Sequence, residues 1–580
     1  MRIVALEVYN FRGIKECRLA IPNTRVLCFV GSGDSTKSTL LEAIRLNLLP
    51  SWTINATDAD FYQCNTENPI VIRCTYDEFP ENLIAEDRFG YYLRSCSAVV
   101  NSFDAPQDDE KWNDEPQKGE SDCLTVQLTI DSFLEPKWEV VCNRLQPKAL
   151  RLNDRRQLLC NCIGIDFNGD FSWGRYSILH KYADGKGELR SAYNEAFRVA
   201  SKSTSFDKLN SIAEAVTAAG KQYSVPLEGE INNQIVMKPN GFSSDVELYD
   251  GKTPFSQRGL GSRRLMSIGL NVNATNSAAL LLIDEIETGL EPYRVCELIG
   301  ELKRSHKESG QVLMTTHSAS AISELSANEL IMVNSDNGVT TVHTIGHKEV
   351  PEVQGMIRGN PESLLAKRLI VCEGKTEVGL IRALNDYLIR TNGFNLAHKG
   401  VCPIDGAGGN RAIKLAFHLK KCGYDVSVFM DSDVKVDNDE KESIREFGVS
   451  VFDWQEGYSI EEQIFSDVSA TIAEDLIDIV VDENNIVEKS KKLNSINEIC
   501  SIVDGRIQLK DGLGTEHRKH IGTVAKNVNT KKSKNDTSWY KRIDHGEAIG
   551  DVLFNSYNEI DKTTKLKDTI ETIIKWVIDL

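Results

Sequence analysis

The feature that most constrains the fold of this chain is an apolar run that ends abruptly in carboxylates, and it recurs. Leu369-Ile370-Val371-Cys372 runs into Glu373-Gly374-Lys375-Thr376-Glu377, and Val428-Phe429-Met430 runs into Asp431-Ser432-Asp433. Runs this short and this uniformly apolar read as strands buried on both faces, the mark of a parallel sheet covered by helices. Sheets of that kind place their chemistry beyond the carboxyl ends of the strands. The runs therefore point to an α/β fold and deliver acidic side chains to its working edge. Carboxylates grouped there suit hard divalent cations, and paired cations suit phosphodiester cleavage.

The first half carries a second such edge. The apolar strand ending at Val30 leads into Gly31-Ser32-Gly33-Asp34-Ser35-Thr36-Lys37-Ser38-Thr39 and then into a stretch of helical character from Leu40. Strand, glycine-rich turn, Lys-Ser and helix is the context of a P-loop. Backbone amides at the helix start cradle phosphates, Lys37 reaches the outer ones, and Ser38 binds Mg²⁺. The departure is Thr36, where the usual pattern has glycine. Downstream, Leu280-Leu281-Leu282-Ile283 ends in Asp284-Glu285. Asp284 is expected to support Mg²⁺ and water, and Glu285 to polarise the attacking water. Gly289-Leu290-Glu291-Pro292 follows at D-loop distance, and the strand Gln311 to Thr316 ends in His317, where a sensor of the γ-phosphate is expected. Gln63 is a candidate Q-loop residue.

Between these lies Ser256-Gln257-Arg258-Gly259-Leu260-Gly261-Ser262. It either caps a helix or serves as a signature loop. It resembles the signature loop of ABC-type ATPases, in which Gly259, Gly261 and Ser262 would meet ATP held by a second copy. With Asn10-Phe11-Arg12-Gly13-Ile14 after the first strand, the set resembles the ABC heads of the RecF and SMC group and implies a homodimer or higher oligomer through the heads. Residues 1–64 and 253–350 then form the two lobes of the head. Residues 65–252 are an insertion too long for a minimal head, holding head strands and possible dimerisation elements. Within it, Asp104 to Asp122 is polar and acidic and reads as a mobile loop, whereas Phe206 to Lys221 has helical spacing. No long heptad array supports SMC-type coiled-coil arms.

Residues 351–365 read as a linker. The order beyond it, a strand ending in Glu373-Gly374, a glycine-rich turn Asp405-Gly406-Ala407-Gly408-Gly409 and a strand ending in Asp431-Ser432-Asp433, resembles the Toprim fold, with a core over 366–470 and an extension over 471–580. A helix starting at Gly374 returns the Glu377 carboxylate to the strand edge, and Asp431 and Asp433 share one face of an extended segment. Either one of Glu461 and Glu462 holds a second metal, or the two are the acidic start of an exposed helix. Toward the C-terminus His517, Arg518, Lys519, His520, Lys526, Lys531, Lys532, Lys534, Lys541 and Arg542 surround Trp539 and Tyr540. Such a stretch can track a DNA backbone while its aromatics stack or pack. Thr563 to Leu580 reads as a closing amphipathic helix, with Leu566, Ile570, Ile574 and Val577 on one side.

Composition narrows the setting. The chain has 580 residues, 41% hydrophobic and 26% charged, with a net charge of -18. That acidity excludes indiscriminate coating of nucleic acid and leaves room for a local basic channel. The cysteines lie in apolar runs without paired CxxC spacing, so they read as reduced core residues. No stretch reaches the length of a membrane span and no signal-peptide pattern opens the chain, so a cytoplasmic location is expected.

An ABC-type head with a large insertion followed by Toprim resembles the OLD (overcoming lysogenization defect) family of nucleases. The resemblance implies an ATP-dependent DNA endonuclease using Mg²⁺ or Mn²⁺, often in bacterial defence against phage. It makes Glu373, Glu377, Asp431 and Asp433 metal ligands, with Glu373 also a possible base. It matches Glu461 or Glu462 to a later acidic position and Lys541 to a lysine that stabilises the transition state. Family members act alone, beside a helicase-like partner, or with a retron reverse transcriptase and its DNA. The alternatives are a RecF/SMC-like DNA-binding repair factor whose Toprim does not cut, and a topoisomerase or primase.

Overall fold

The computed structural model describes residues 1–96, 112–158, 160–164, 249–250, 252–274, 279–346, 351–480, 498–503, 506–511, 513–526 and 539–578, with isolated positions besides. The helical spacing at Phe206 to Lys221, much of the acidic stretch from Asp104, and Lys531, Lys532 and Lys534 lie outside the described residues.

The uniformly apolar runs of the first half form the parallel centre of one large mixed sheet. Its strands lie in the order Cys160–Ile163, Leu280–Ile283, Gln311–Thr315, Val26–Val30 and Leu330–Asp336, each parallel to the next. The middle three are buried at every position, as expected for strands covered on both faces. Beyond Leu330–Asp336 a hairpin to Val339–Thr344 leads to Ile14–Ala20, Arg2–Phe11, Ile70–Asp77 and Ser121–Ile130. From Ile14–Ala20 onward these strands are antiparallel. Ile70–Asp77 and Ser121–Ile130 come from the span 65–252 and widen the same sheet. The helix Lys37–Asn47 lies on it, and the buried Asn47 amide fixes its end by donating to the carbonyls of Ile72 and Val126, each at 3.0 Å.

The second half is built around a four-stranded, all-parallel sheet in the order Val401–Asp405, Arg368–Cys372, Asp425–Met430, Ser450–Asp453. Its central strand, Arg368–Cys372, is fully buried. The helices Lys375–Asn392, Gly409–Lys421 and Lys435–Glu446 connect the strands. The chain then adds Ile460–Asp467, Ala470–Val480, Thr515–Lys526, Ile543–Asn555 and Lys565–Ile578. The last matches the expected closing helix and buries Leu566, Ile570, Ile573 and Val577. Ile574 is only partly buried, and Ile573 takes its place.

Residues 351–365, read as a linker, are folded. Pro351–Gly359 is a helix, Pro361–Leu365 a short 3₁₀ turn, and Val353, Ile357 and Leu364 are completely buried. The core they enter runs from Val26, Cys28 and Val30 of the first sheet to Leu369 and Val371 of the second. Direct bonds cross the same boundary. His418 Nε2 lies 2.6 Å from the Ile345 carbonyl, Cys422 Sγ donates to Thr344 O at 3.3 Å, and Asn334 Nδ2 donates to Gly423 O at 3.1 Å. Among the described residues no helix is long and apolar enough to cross a membrane.

Candidate active site

At the first edge, the turn after Val26–Val30 wraps around the Lys37 side chain. Lys37 is buried, and its Nζ donates to Gly31 O at 3.1 Å, Ser32 O at 2.7 Å and Ser35 Oγ at 3.0 Å. Burial holds this ammonium below its ordinary value. Gly31, at φ +143°, passes so close to the neighbouring strand that a Cβ would stand 2.5 Å from Val333 O. Asp34 and Thr36 adopt left-handed backbone, φ 59° and 66°. The latter explains why glycine is usual at Thr36. The threonine is held there by its hydroxyl, 3.1 Å from that of Thr340.

Across the turn, Ser38 Oγ donates to Asp284 Oδ1 at 2.9 Å, and Thr315 Oγ1 donates to the same oxygen at 2.6 Å. Ser38 and Asp284 also line a cavity of about 400 Å³ with Glu42, Arg45 and Cys162. The Glu285 amide donates to Thr315 Oγ1 at 2.8 Å, and Thr288 Oγ1 donates to Glu285 Oε2 at 3.2 Å. His317 is exposed at the end of Gln311–Thr315, and Glu287 accepts its backbone amide at 2.6 Å. Gly259 precedes the helix Leu260–Ala274, and Gly261 approaches the D-loop so closely that a Cβ would stand 2.4 Å from Gly289 O. Ser262 is exposed beside it, and Gly33 and Thr39 complete the turn and the helix start. Gln63 sits in left-handed backbone, exposed, bonded through its side-chain amide to Tyr62.

Three residues of this edge escape the sequence pattern. Thr315 joins Asp284 to Glu285, and Glu287 fixes the His317 turn. Arg264, fully buried, reaches from the signature helix to the carbonyls of Gly164, Asp284 and Glu285. The available signals were a hydroxyl next to the histidine motif and a second arginine after the signature turn, and neither is specific alone.

The second edge gathers the acidic clusters. The Glu373 amide donates to Phe429 O at 2.8 Å, and Glu373 Oε2 accepts the Asp431 amide at 2.9 Å, so the two strand ends are cross-tied. Asp431 Oδ1 accepts the Ile460 amide at 2.8 Å, which brings the start of Ile460–Asp467 to the same place. Glu377 Oε2 accepts the Gly374 amide at 3.0 Å. Ser459 donates its hydroxyl to Glu461 Oε2 and its amide to Glu462 Oε2, both at 3.0 Å. The glycine-rich turn is tight against this edge, because a Cβ on Gly406 would stand 2.8 Å from Cys372 O.

These carboxylates share one electrostatic field. Burial, then the charges of Glu373 and Glu461, push the Glu377 carboxyl up to about 8. Burial, then Glu377, Glu461, Glu373 and Asp433, raise Asp431 well above the usual carboxylate range. Burial also raises Glu461, opposed by the Ser459 hydroxyl and by the charges of Lys526 and Lys541. Among the described residues no three of these groups converge as a finished coordination shell. Their oxygens turn instead to backbone amides and to lysine. The donor chemistry nonetheless fits a hard divalent cation: all the donors are carboxylate oxygens, and buried like charges of this kind ionise together only beside a positive partner.

Two lysines flank the cluster and a third lies beneath it. Lys526 pairs with Asp433 and stands 3.6 Å from Glu462 Oε2. Lys541 is exposed and acts on Glu461, and the Thr376 hydroxyl anchors the preceding Tyr540 carbonyl. Trp539 and Tyr540 are buried, so these aromatics pack rather than offer a stacking surface. Lys441 is buried under the Asp431-Ser432-Asp433 turn, bonded to Asp431 O and Ser432 Oγ. The sequence pattern does not single out Lys441, which lies in the highly charged helix Lys435–Glu446.

Comparison with known proteins finds matches in both halves of the chain. Residues 1–150 match the AAA ATPase domain family, and residues 186–323 match an AAA domain family described with the AbiEii toxin of a type IV toxin–antitoxin system. Residues 364–433 match the "Overcoming lysogenization defect protein-like, TOPRIM domain" family. The Old nuclease of Escherichia phage P2 is 27% identical over 173 residues, 28% of this chain and 29% of that protein. The energy-coupling factor transporter ATP-binding protein EcfA2 of Clostridium tetani is 32% identical over 106 residues, 18% of this chain and 36% of that protein. Similar solved structures include an Smc head bound to the C-terminal winged-helix domain of ScpA, at 15% identity and a TM-score of 0.35, covering 61% of this chain and 100% of that one. The SMC head domain of Thermotoga maritima has a TM-score of 0.30 at 14% identity, covering 60% of this chain and 100% of that one. The chain thus matches AAA ATPase domain families in its first half and the OLD-like Toprim domain family in its second, the ATPase–Toprim order of an OLD-like protein.

Proposed function

We propose that the chain is an ATP-binding and ATP-hydrolysing DNA endonuclease that depends on Mg²⁺ or Mn²⁺ and serves as an effector of bacterial anti-phage defence. The observation that carries the nuclease reading is the gathering of Glu373, Glu377, Asp431, Asp433 and Glu461 at one sheet edge, cross-tied through backbone amides and flanked by Lys526 and Lys541. A bound divalent cation would supply Lewis acidity and an activated water. Glu373, Glu377, Asp431 and Asp433 would hold it, with Glu461 and Glu462 completing a second position. Glu373, at the strand tip, is suited to take the proton of the attacking water. Lys541 is exposed beside Glu461 and suited to neutralise charge on the phosphate as the P–O bond breaks.

The defence role rests on family likeness. So does the range of partners: DNA, a helicase-like protein, or a retron reverse transcriptase with its DNA. ATP would bind over Gly31 to Thr39, with Asp284, Glu285 and His317 facing its outer phosphates. A homodimer in which Gly259, Gly261 and Ser262 of one head close on the ATP of another is supported by exposed Leu260, Met266 and Tyr293 near that loop. Incubation with supercoiled plasmid tests the reading. Open-circular or linear product that appears with Mg²⁺ or Mn²⁺ and vanishes in EDTA is expected. Closed relaxed topoisomers would indicate a topoisomerase, and bound but intact DNA a RecF-like factor.

A further inference from the structure

Lys526 is the lysine of the acidic edge that pairs directly with Asp433. Its Nζ pairs with Asp433 and lies 3.6 Å from Glu462 Oε2, on two elements that the nuclease reading assigns to metal. Packing, and not charge alone, brings it there. Lys526 ends the helix Thr515–Lys526, whose Gly522 is wedged against the opposite helix start: a Cβ there would stand 2.6 Å from Glu462 Cα and 2.7 Å from Glu461 O. Ile521 and Ala525 are completely buried. Thr523 donates its hydroxyl to Glu462 Oε1 at 2.8 Å, and Ala525 O accepts the Trp539 amide at 2.9 Å. The helix is thus locked, whereas the lysine side chain is 24% exposed and keeps a path to solvent.

The pair is only partly buried, with Lys526 24% and Asp433 17% exposed, so water still reaches it, and an ammonium on a flexible stem is a mobile point charge. A divalent cation brings twice the charge to the same oxygens. We propose that Lys526 is a built-in counter-ion: it holds Asp433 and Glu462 in place before metal binds, yields them to the metal, and turns its ammonium to a DNA phosphate. The proposal rests on the nuclease reading and adds an exchange that the reading does not require. Lys526 thus positions Asp433 and Glu462 before metal binds and contacts the substrate phosphate afterwards.

Calorimetric titration of Mn²⁺ into the full chain without DNA tests it, using wild type, Lys526→Gln, Lys526→Arg and Glu373→Ala. With the competing ammonium removed, Lys526→Gln should bind Mn²⁺ more tightly, on the order of fivefold, while Lys526→Arg stays near wild type. Its duplex-DNA affinity, read in Ca²⁺, should fall, with a salt slope smaller by about one phosphate contact. Unchanged or weaker Mn²⁺ binding by Lys526→Gln, as a merely structural lysine would give, overturns the proposal. Lys526→Met serves as the second neutral variant if Lys526→Gln melts early. Mn²⁺ binding that Glu373→Ala abolishes but Lys526→Gln leaves unchanged overturns the exchange alone. Absence of Mn²⁺ binding in every form overturns the nuclease reading together with it.

Discussion

Thr36 and Glu377 show what single side chains cost at the two edges. Thr36 keeps a left-handed backbone at φ 66°, and its hydroxyl bond to Thr340 offsets that strain. Thr36→Ala keeps the strain and loses the bond, so it should lower stability by about 1 kcal/mol. Thr36→Gly relieves the strain and should stay within roughly 0.5 kcal/mol of wild type in the same denaturant melts. Glu377 is buried among like charges, so Glu377→Gln should raise the melting temperature in EDTA by a few degrees and reduce the extra stabilisation given by Mn²⁺. A lower melting temperature in EDTA would show that the Gly374 hydrogen bond outweighs charge crowding at this position. Glu373, Glu377, Asp431 and Asp433 were legible because strand, turn and carboxylate are adjacent in sequence. Lys526, Lys441 and Arg264 were not, since each reaches its partners through packing between distant segments.

At the scale of elements, the parallel strands were readable and the helix pairings were not. A strand buried on both faces leaves an unbroken apolar run, as Val26–Val30 and Arg368–Cys372 do. The pairing of Lys375–Asn392 with Ile543–Asn555 depends instead on glycine notches far apart in the chain. A Cβ on Gly546 would stand 2.2 Å from Thr376 O, and one on Gly379 would stand 2.2 Å from Ile543 O. Gly546→Ala must therefore push the helices apart and should cost about 1–3 kcal/mol, as overpacking does. Because Thr376 also anchors Tyr540, the same substitution should displace Lys541 and slow plasmid nicking more than it lowers DNA affinity. Equal losses in both would place Lys541 in binding rather than in the reaction. The folded segment 351–365 escaped sequence reading because proline at its two starts mimics a linker, although Pro351 and Pro361 stand at first-turn positions that helices accept.

At the scale of the whole molecule, the ATPase and Toprim sheets share a core, and the strand carrying Thr340 leads to Thr344 and Ile345, which bond Cys422 and His418. A nucleotide that shifts the turn around Thr36 acts on a strand that touches Gly409–Lys421. Hydrogen exchange in that helix should slow or quicken on ATP binding in wild type and stay unchanged in Lys37→Ala. An unchanged rate in wild type would mean that the two sheets are joined but not coupled. With a net charge of -18, DNA bound as the nuclease reading proposes needs a local cationic surface such as that around Lys526 and Lys541, so binding should weaken steeply with salt. The most direct test of the central claim is cleavage of supercoiled plasmid by wild type and Glu373→Ala, each verified as folded, with Mn²⁺ and with EDTA. The account predicts cut DNA only for wild type with Mn²⁺, and it is contradicted by cleavage that persists in Glu373→Ala or by intact plasmid throughout.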